Sequence, residues 1–153
     1  MKLPIVALVD TSVFAELIGV PGMSSDRDEL LDELRERLAR GDELMLPLAT
    51  IIETGNHIAN GGNGDARRRV AIGFVDQVSK ALAGKSPFTP TGPMTSDWMA
   101  SWLGSFPPFA QQGVGLADLS IIQEWERQKR ILASTRRILI WSKDHHLMGY
   151  DTG

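Results

Sequence analysis

The chain has 153 residues, of which 42% are hydrophobic and 23% charged, a size and balance that suit one globular domain and exclude a disordered tail or a fibrous repeat. Sixteen basic against 19 acidic side chains leave a net charge of −3, so bulk electrostatic attraction to nucleic acid is excluded and only a local basic patch could supply it. With no cysteine there is no disulfide framework, no thiolate zinc or iron–sulfur site and no thiol catalysis. The early apolar run Ile5 to Val9 is too short for a signal-peptide core or a membrane span. The expectation is a cytoplasmic protein with no membrane partner.

Pro4 to Val9 reads as a strand buried on both faces, ending in Asp10. Thr11 or Ser12 can cap the helix that follows, and Gly19 to Gly22 ends it. Ser25 opens a second helix with Leu30, Leu31, Leu34 and Leu38 on one face, stopped by Gly41. Leu44 to Leu48 looks like a second strand, with Pro47 at its end. Thr50 begins a third helix, and Asp65 caps a fourth whose Val70, Ala71, Phe74, Val75, Val78 and Leu82 have helical spacing. The Pro- and Gly-rich stretch 84–115 reads as an excursion holding one short helix with Trp98 and Trp102. Another helix starts near Ala117, and Ile138 to Trp141 forms the last strand. Strands alternating with helices give a single α/β domain over 1–153, a three-layer sandwich around a mostly parallel sheet flanked by helices.

Ligands of such sheets bind outside the carboxyl ends of the strands. Asp10, Glu53 and Asp144 each follow a strand by a few residues, and Asp118 sits at a helix start on the same edge. Four carboxylates converging there would repel unless a hard divalent cation neutralised them. Magnesium or manganese prefers such oxygen donors. Two ions about 4 Å apart can activate water and stabilise the leaving oxygen of a phosphodiester.

Val9-Asp-Thr-Ser-Val13, Pro47-Leu-Ala-Thr-Ile-Ile-Glu53, Leu116-Ala-Asp-Leu-Ser-Ile121 and Ile140-Trp-Ser-Lys-Asp-His-His-Leu147 follow one another in an order that resembles the PIN-domain ribonucleases, which include the VapC-type toxins. The resemblance runs from Val6 to about Leu147, with longer intervals around Asp118 than in compact toxin members. It implies a PIN-like sandwich and an Mg²⁺- or Mn²⁺-dependent endoribonuclease acting on RNA. Asp10, Glu53, Asp118 and Asp144 would be the catalytic, metal-binding quartet, with Thr11, Ser12 and Ser142 supporting it. A cognate antitoxin and a homodimer are the partners implied.

Simpler readings stand beside these. Asp10 could serve only as a helix cap, and Asp118 could only complement a helix dipole. Asp144 could be turn chemistry. Thr50-x-x-Glu53 has the form of a capping box, which would fold Glu53 back onto the Thr50 amide. His57, His145 and His146 lack metalloprotease spacing. Arg67, Arg68, Arg69, Lys129, Arg130, Arg136 and Arg137 are either solvated faces or contacts to an RNA backbone. Trp98 and Trp102 suit packing, with base stacking as the alternative. The rival functions are a silent PIN-like RNA-binding or scaffold module and a small α/β regulatory domain.

Overall fold

The computed structural model describes residues 2–153. In chain order it contains β1 (Ile5–Val9), α1 (Thr11–Ile18), α2 (Arg27–Arg40), β2 (Glu43–Leu46), α3 (Leu48–Asn60) and α4 (Gly64–Leu82). Then come β3 (Phe88–Pro90), α5 (Ser96–Leu103), α6 (Phe106–Gln111), α7 (Leu116–Leu132), β4 (Arg137–Trp141) and α8 (His145–Met148). The strands form one all-parallel sheet in the order β3-β2-β1-β4, with Ala7 of β1 level with Leu44 and Leu139.

The central strand explains why its sequence is continuously apolar. Ala7 and Val9 enter one core with Phe14, Leu30, Leu44, Leu46, Val78 and Trp141, under α1, α2 and α4. Val6 and Leu8 enter a second core with Ile121, Ile122, Trp125, Ile138 and Leu147, under α7 and α8. Both faces are therefore covered, and alternation has no solvent side to serve. Leu8, Leu44 and Ile138 have no exposed surface, which is worth about 2 kcal/mol for each side chain removed from water. The architecture is the α/β three-layer sandwich expected from the sequence.

Both sheet edges are blunted. Beyond β4 the chain end lies alongside the strand, where the Ile140 amide donates to the Tyr150 carbonyl at 3.0 Å and the Thr152 amide to the Ile138 carbonyl at 3.0 Å. At the other edge β3 is three residues long and ends in Pro90. No helix among the described residues is long and apolar enough to cross a membrane.

Several local expectations are corrected. Asp10, not Thr11 or Ser12, caps α1, and Asn63, not Asp65, caps α4 by accepting from the Ala66 amide at 2.9 Å. The second helix starts at Arg27, because the Ser25 hydroxyl is directed at Glu16 instead of capping. Leu38 is 41% exposed, since the inward-facing position one residue earlier belongs to Arg37, whose guanidinium lies 4.7 Å from the Trp141 ring centroid. Val75 and Leu82 are also exposed, and α4 is seated on its Phe74, Val78 and Ala81 side. The 84–115 excursion contributes β3 to the sheet and carries two helices, not one. Within it Trp102 is buried and meets Trp98 edge-on at 5.5 Å, which is packing.

Candidate metal centre

All four strands end on the same side of the sheet. Val9 is level with Trp141, so Asp10 and the Ser142–Asp144 turn leave the sheet together, and the Asp10 amide donates to the Trp141 carbonyl at 3.0 Å. The third element is fastened to this edge by Thr50, fully buried, whose hydroxyl donates to the Val9 carbonyl at 2.8 Å. One turn further along α3, Glu53 accepts a hydrogen bond from the Thr11 hydroxyl at 2.9 Å. The capping-box alternative for Glu53 therefore fails. The helix begins two residues before Thr50, and both side chains are engaged with the β1–α1 junction.

Asp10 is 3% exposed. Its Oδ2 accepts from the Ser12 amide at 3.3 Å, the Ser12 hydroxyl at 2.8 Å and the Ser142 hydroxyl at 2.8 Å. Its Oδ1 is buried with no partner at all. Capping accounts for one oxygen and leaves the other a buried acceptor without a donor. Beside it the Ser142 hydroxyl accepts from the Asp144 amide at 2.9 Å, and Asp144 Oδ1 accepts from the His146 amide at 2.8 Å. Ser12 and Ser142 thus both donate to Asp10, and Thr11 donates to Glu53.

Asp118 lies in the first turn of α7. Burial, and then the negative charges of Asp10, Glu53 and Asp144, push its carboxyl up to about 7, with His146 opposing. The four acids share one electrostatic field. Among the described residues no group of three or more His, Asp or Glu side chains is set to hold an ion as it stands. Like charges with nothing between them repel.

The donor set fits a hard divalent cation. It offers carboxylates and hydroxyls, no thiolate, and one buried oxygen with no other use. Asp10, Asp118 and Asp144, with Glu53, are the side chains that would hold it. Of the histidines, His57 is in the last turn of α3 and His145 and His146 open α8, with His146 close enough to Asp118 to oppose its upward shift.

The basic residues are spread over several elements. Arg136 precedes β4 and Arg137 opens it, while the acidic turn follows the strand, so the strand's length of roughly 16 Å separates them. Arg137 is moreover bound to Asp151 through two hydrogen bonds of 2.9 and 2.6 Å. Lys129 and Arg130 sit at the opposite end of α7 from Asp118, roughly 16 Å along the helix. Arg67, Arg68 and Arg69 lie in the first two turns of α4, where Arg67 and Arg68 border the same surface hollow as Gly55 and Ile58 of α3, and Arg67 donates to the Gly62 carbonyl at 2.6 Å. No single phosphate group could meet all seven.

One cluster escaped the sequence reading. Glu16, 3% exposed, receives the Lys143 ammonium at 2.5 Å, and the same ammonium reaches Asp26 at 2.5 Å. Asp26 and then Glu16 hold the Lys143 ammonium above its usual range. The one available signal was an acidic residue inside the otherwise apolar stretch Val13 to Ile18.

No protein-family model, no curated protein and no solved structure matches the chain. What the fold shows is an α/β sandwich around an all-parallel sheet, with Asp10 directly after β1 and Asp144 in the turn after β4, two strands that pair with each other.

Proposed function

We propose that this protein is an Mg²⁺- or Mn²⁺-dependent endoribonuclease of the PIN type, acting as a VapC-like toxin with a cognate antitoxin and capable of forming a homodimer. The observation that carries the reading is the buried, unpartnered oxygen of Asp10 in the field of Glu53, Asp118 and Asp144. When bound, a divalent cation supplies an activated water and balances charge on the attacking and leaving oxygens of a phosphodiester.

The chain's own groups have separate tasks. Ser12 and Ser142 hold Asp10 through Oδ2 and leave Oδ1 without a donor. Thr11 fixes the rotamer of Glu53, and Thr50 keeps the helix beneath it against β1. Burial of Asp10 excludes bulk water from the innermost ligand. Asp118, ionising near 7, is the group whose charge state changes within the physiological range.

The test is incubation of mixed single-stranded RNAs with the protein in Mg²⁺, in Mn²⁺ and in EDTA, beside Asp10→Asn. The expected result is cleavage with either ion, none in EDTA, and a loss of at least about a hundredfold in the variant. Cleavage that persists in EDTA, or equally in Asp10→Asn, would overturn the assignment. A second reading, an RNA-binding module without turnover, draws on the lack, among the described residues, of a group of three or more acids set to hold an ion. Retention of RNA with no cleavage at saturating Mn²⁺ would establish it instead.

A further inference from the structure

Three residues outside the proposed ligand set are tied to it. Glu16 sits in α1 among Val13, Phe14, Ala15 and Leu17, all buried, where an apolar side chain would fit the surroundings. A buried carboxylate there is costly unless it is paired. Its Oε1 receives Lys143 Nζ at 2.5 Å and its Oε2 the Asp26 amide at 3.2 Å. The ion pair joins positions 127 residues apart, α1 on one side and the turn after β4 on the other.

That turn is the one that carries Asp144. The Lys143 amide donates to the Ser12 hydroxyl at 2.9 Å, and Ser12 in turn donates to Asp10. Ser142, on the other side of Lys143, reaches Asp10 and accepts from the Asp144 amide. Two kinds of tie therefore press the turn onto α1: short hydroxyl bridges at the backbone, and a side-chain ion pair about one helical turn further along α1.

We infer that the Glu16–Lys143 pair, steadied by Asp26, is a positioning clamp that sets the separation of Asp10 and Asp144 for the cation. The inference rests on the reading of those two carboxylates as ligands and adds residues that touch neither cation nor substrate. Carboxylates repel, and a turn free to move would carry Asp144 outward. A clamp cancels that motion before the ion arrives, so its removal appears as weaker metal affinity.

The experiment is isothermal titration with Mn²⁺ of the wild-type chain, Glu16→Gln/Lys143→Met, Lys143→Arg and Asp26→Asn, each with a thermal melt. The double variant removes both charges and leaves no uncompensated buried ion. Its Mn²⁺ affinity is expected to fall about tenfold or more, and cleavage to recover when Mn²⁺ is raised. Lys143→Arg should keep affinity within about threefold of wild type, because the ion pair survives. Asp26→Asn, at an exposed side chain whose loss the fold tolerates, should weaken affinity by about threefold. Wild-type affinity in a folded double variant, or in Asp26→Asn should the double variant not fold, would overturn the clamp and leave the metal centre standing. A wild-type chain that binds no Mn²⁺ would overturn the ligand assignment itself, and the clamp with it.

Discussion

Replacing Asp118 by Asn tests the electrostatics of the crevice without any substrate. In the unfolded chain this carboxyl ionises near 3.8, and in the folded protein burial and three acidic neighbours move it up to about 7. The folded state therefore holds a proton that the unfolded state has lost. Stability from this group is fully present below about pH 4 and disappears as pH rises through about 7. A shift of roughly 3 units sets a ceiling of about 4 kcal/mol, at about 1.4 kcal/mol per unit. Asp118 is only partly buried, and solvent screening reduces the expected effect to about 1–2 kcal/mol. Asn resembles the protonated acid, so in EDTA the variant and the wild type should be nearly equally stable at about pH 3.5, and the gap between them should open from about pH 4 to pH 7. At pH 8 the variant should be more stable by about 1–2 kcal/mol. Urea unfolding at the two pH values measures this directly. A difference between the proteins that does not change with pH would refute the shared field.

Asp10→Asn should stabilise the metal-free protein and remove most of the rise in melting temperature that saturating Mg²⁺ gives the wild type, as followed by differential scanning fluorimetry. Thr50→Val keeps the volume but deprives the buried Val9 carbonyl of its 2.8 Å partner, and should cost about 1–3 kcal/mol in urea unfolding. Arg136→Ala and Arg137→Ala, at the sheet edge away from the acids, should leave the salt dependence of RNA binding unchanged. Removing a side chain that does bind an RNA phosphate would instead lower the slope by roughly 0.7.

Much of the frame was legible because parallel strands buried on both faces must be continuously apolar, as Ile5–Val9 and Arg137–Trp141 are beyond the first residue. Acidic residues just after such runs then fall on one edge by topology alone. β3 was not legible: three residues containing a proline carry no periodicity, and pairing with β2 alone defines the strand. The start of α3 was misplaced because Thr50 and Glu53 satisfy a local capping pattern, while a long-range bond to Val9 decides the matter. Arg136 and Arg137, read as flanking the last strand, lie at its start, and the strand separates them from Asp144 beyond its other end. For the Glu16–Lys143 pair the sequence offered only an acidic residue in an apolar stretch and nothing to name its partner, 127 residues away.

The central claim is that the unpartnered oxygen of Asp10 is a cation ligand. A crystal of the protein equilibrated with Mn²⁺ and measured at a wavelength where manganese scatters anomalously tests it most directly. The account requires an anomalous peak at coordinating distance from Asp10 Oδ1, with Asp118, Asp144 or Glu53 drawn in to complete the oxygen shell. A map at saturating Mn²⁺ with no peak beside Asp10, or with the ion bound elsewhere and Oδ1 still unpartnered, would contradict it.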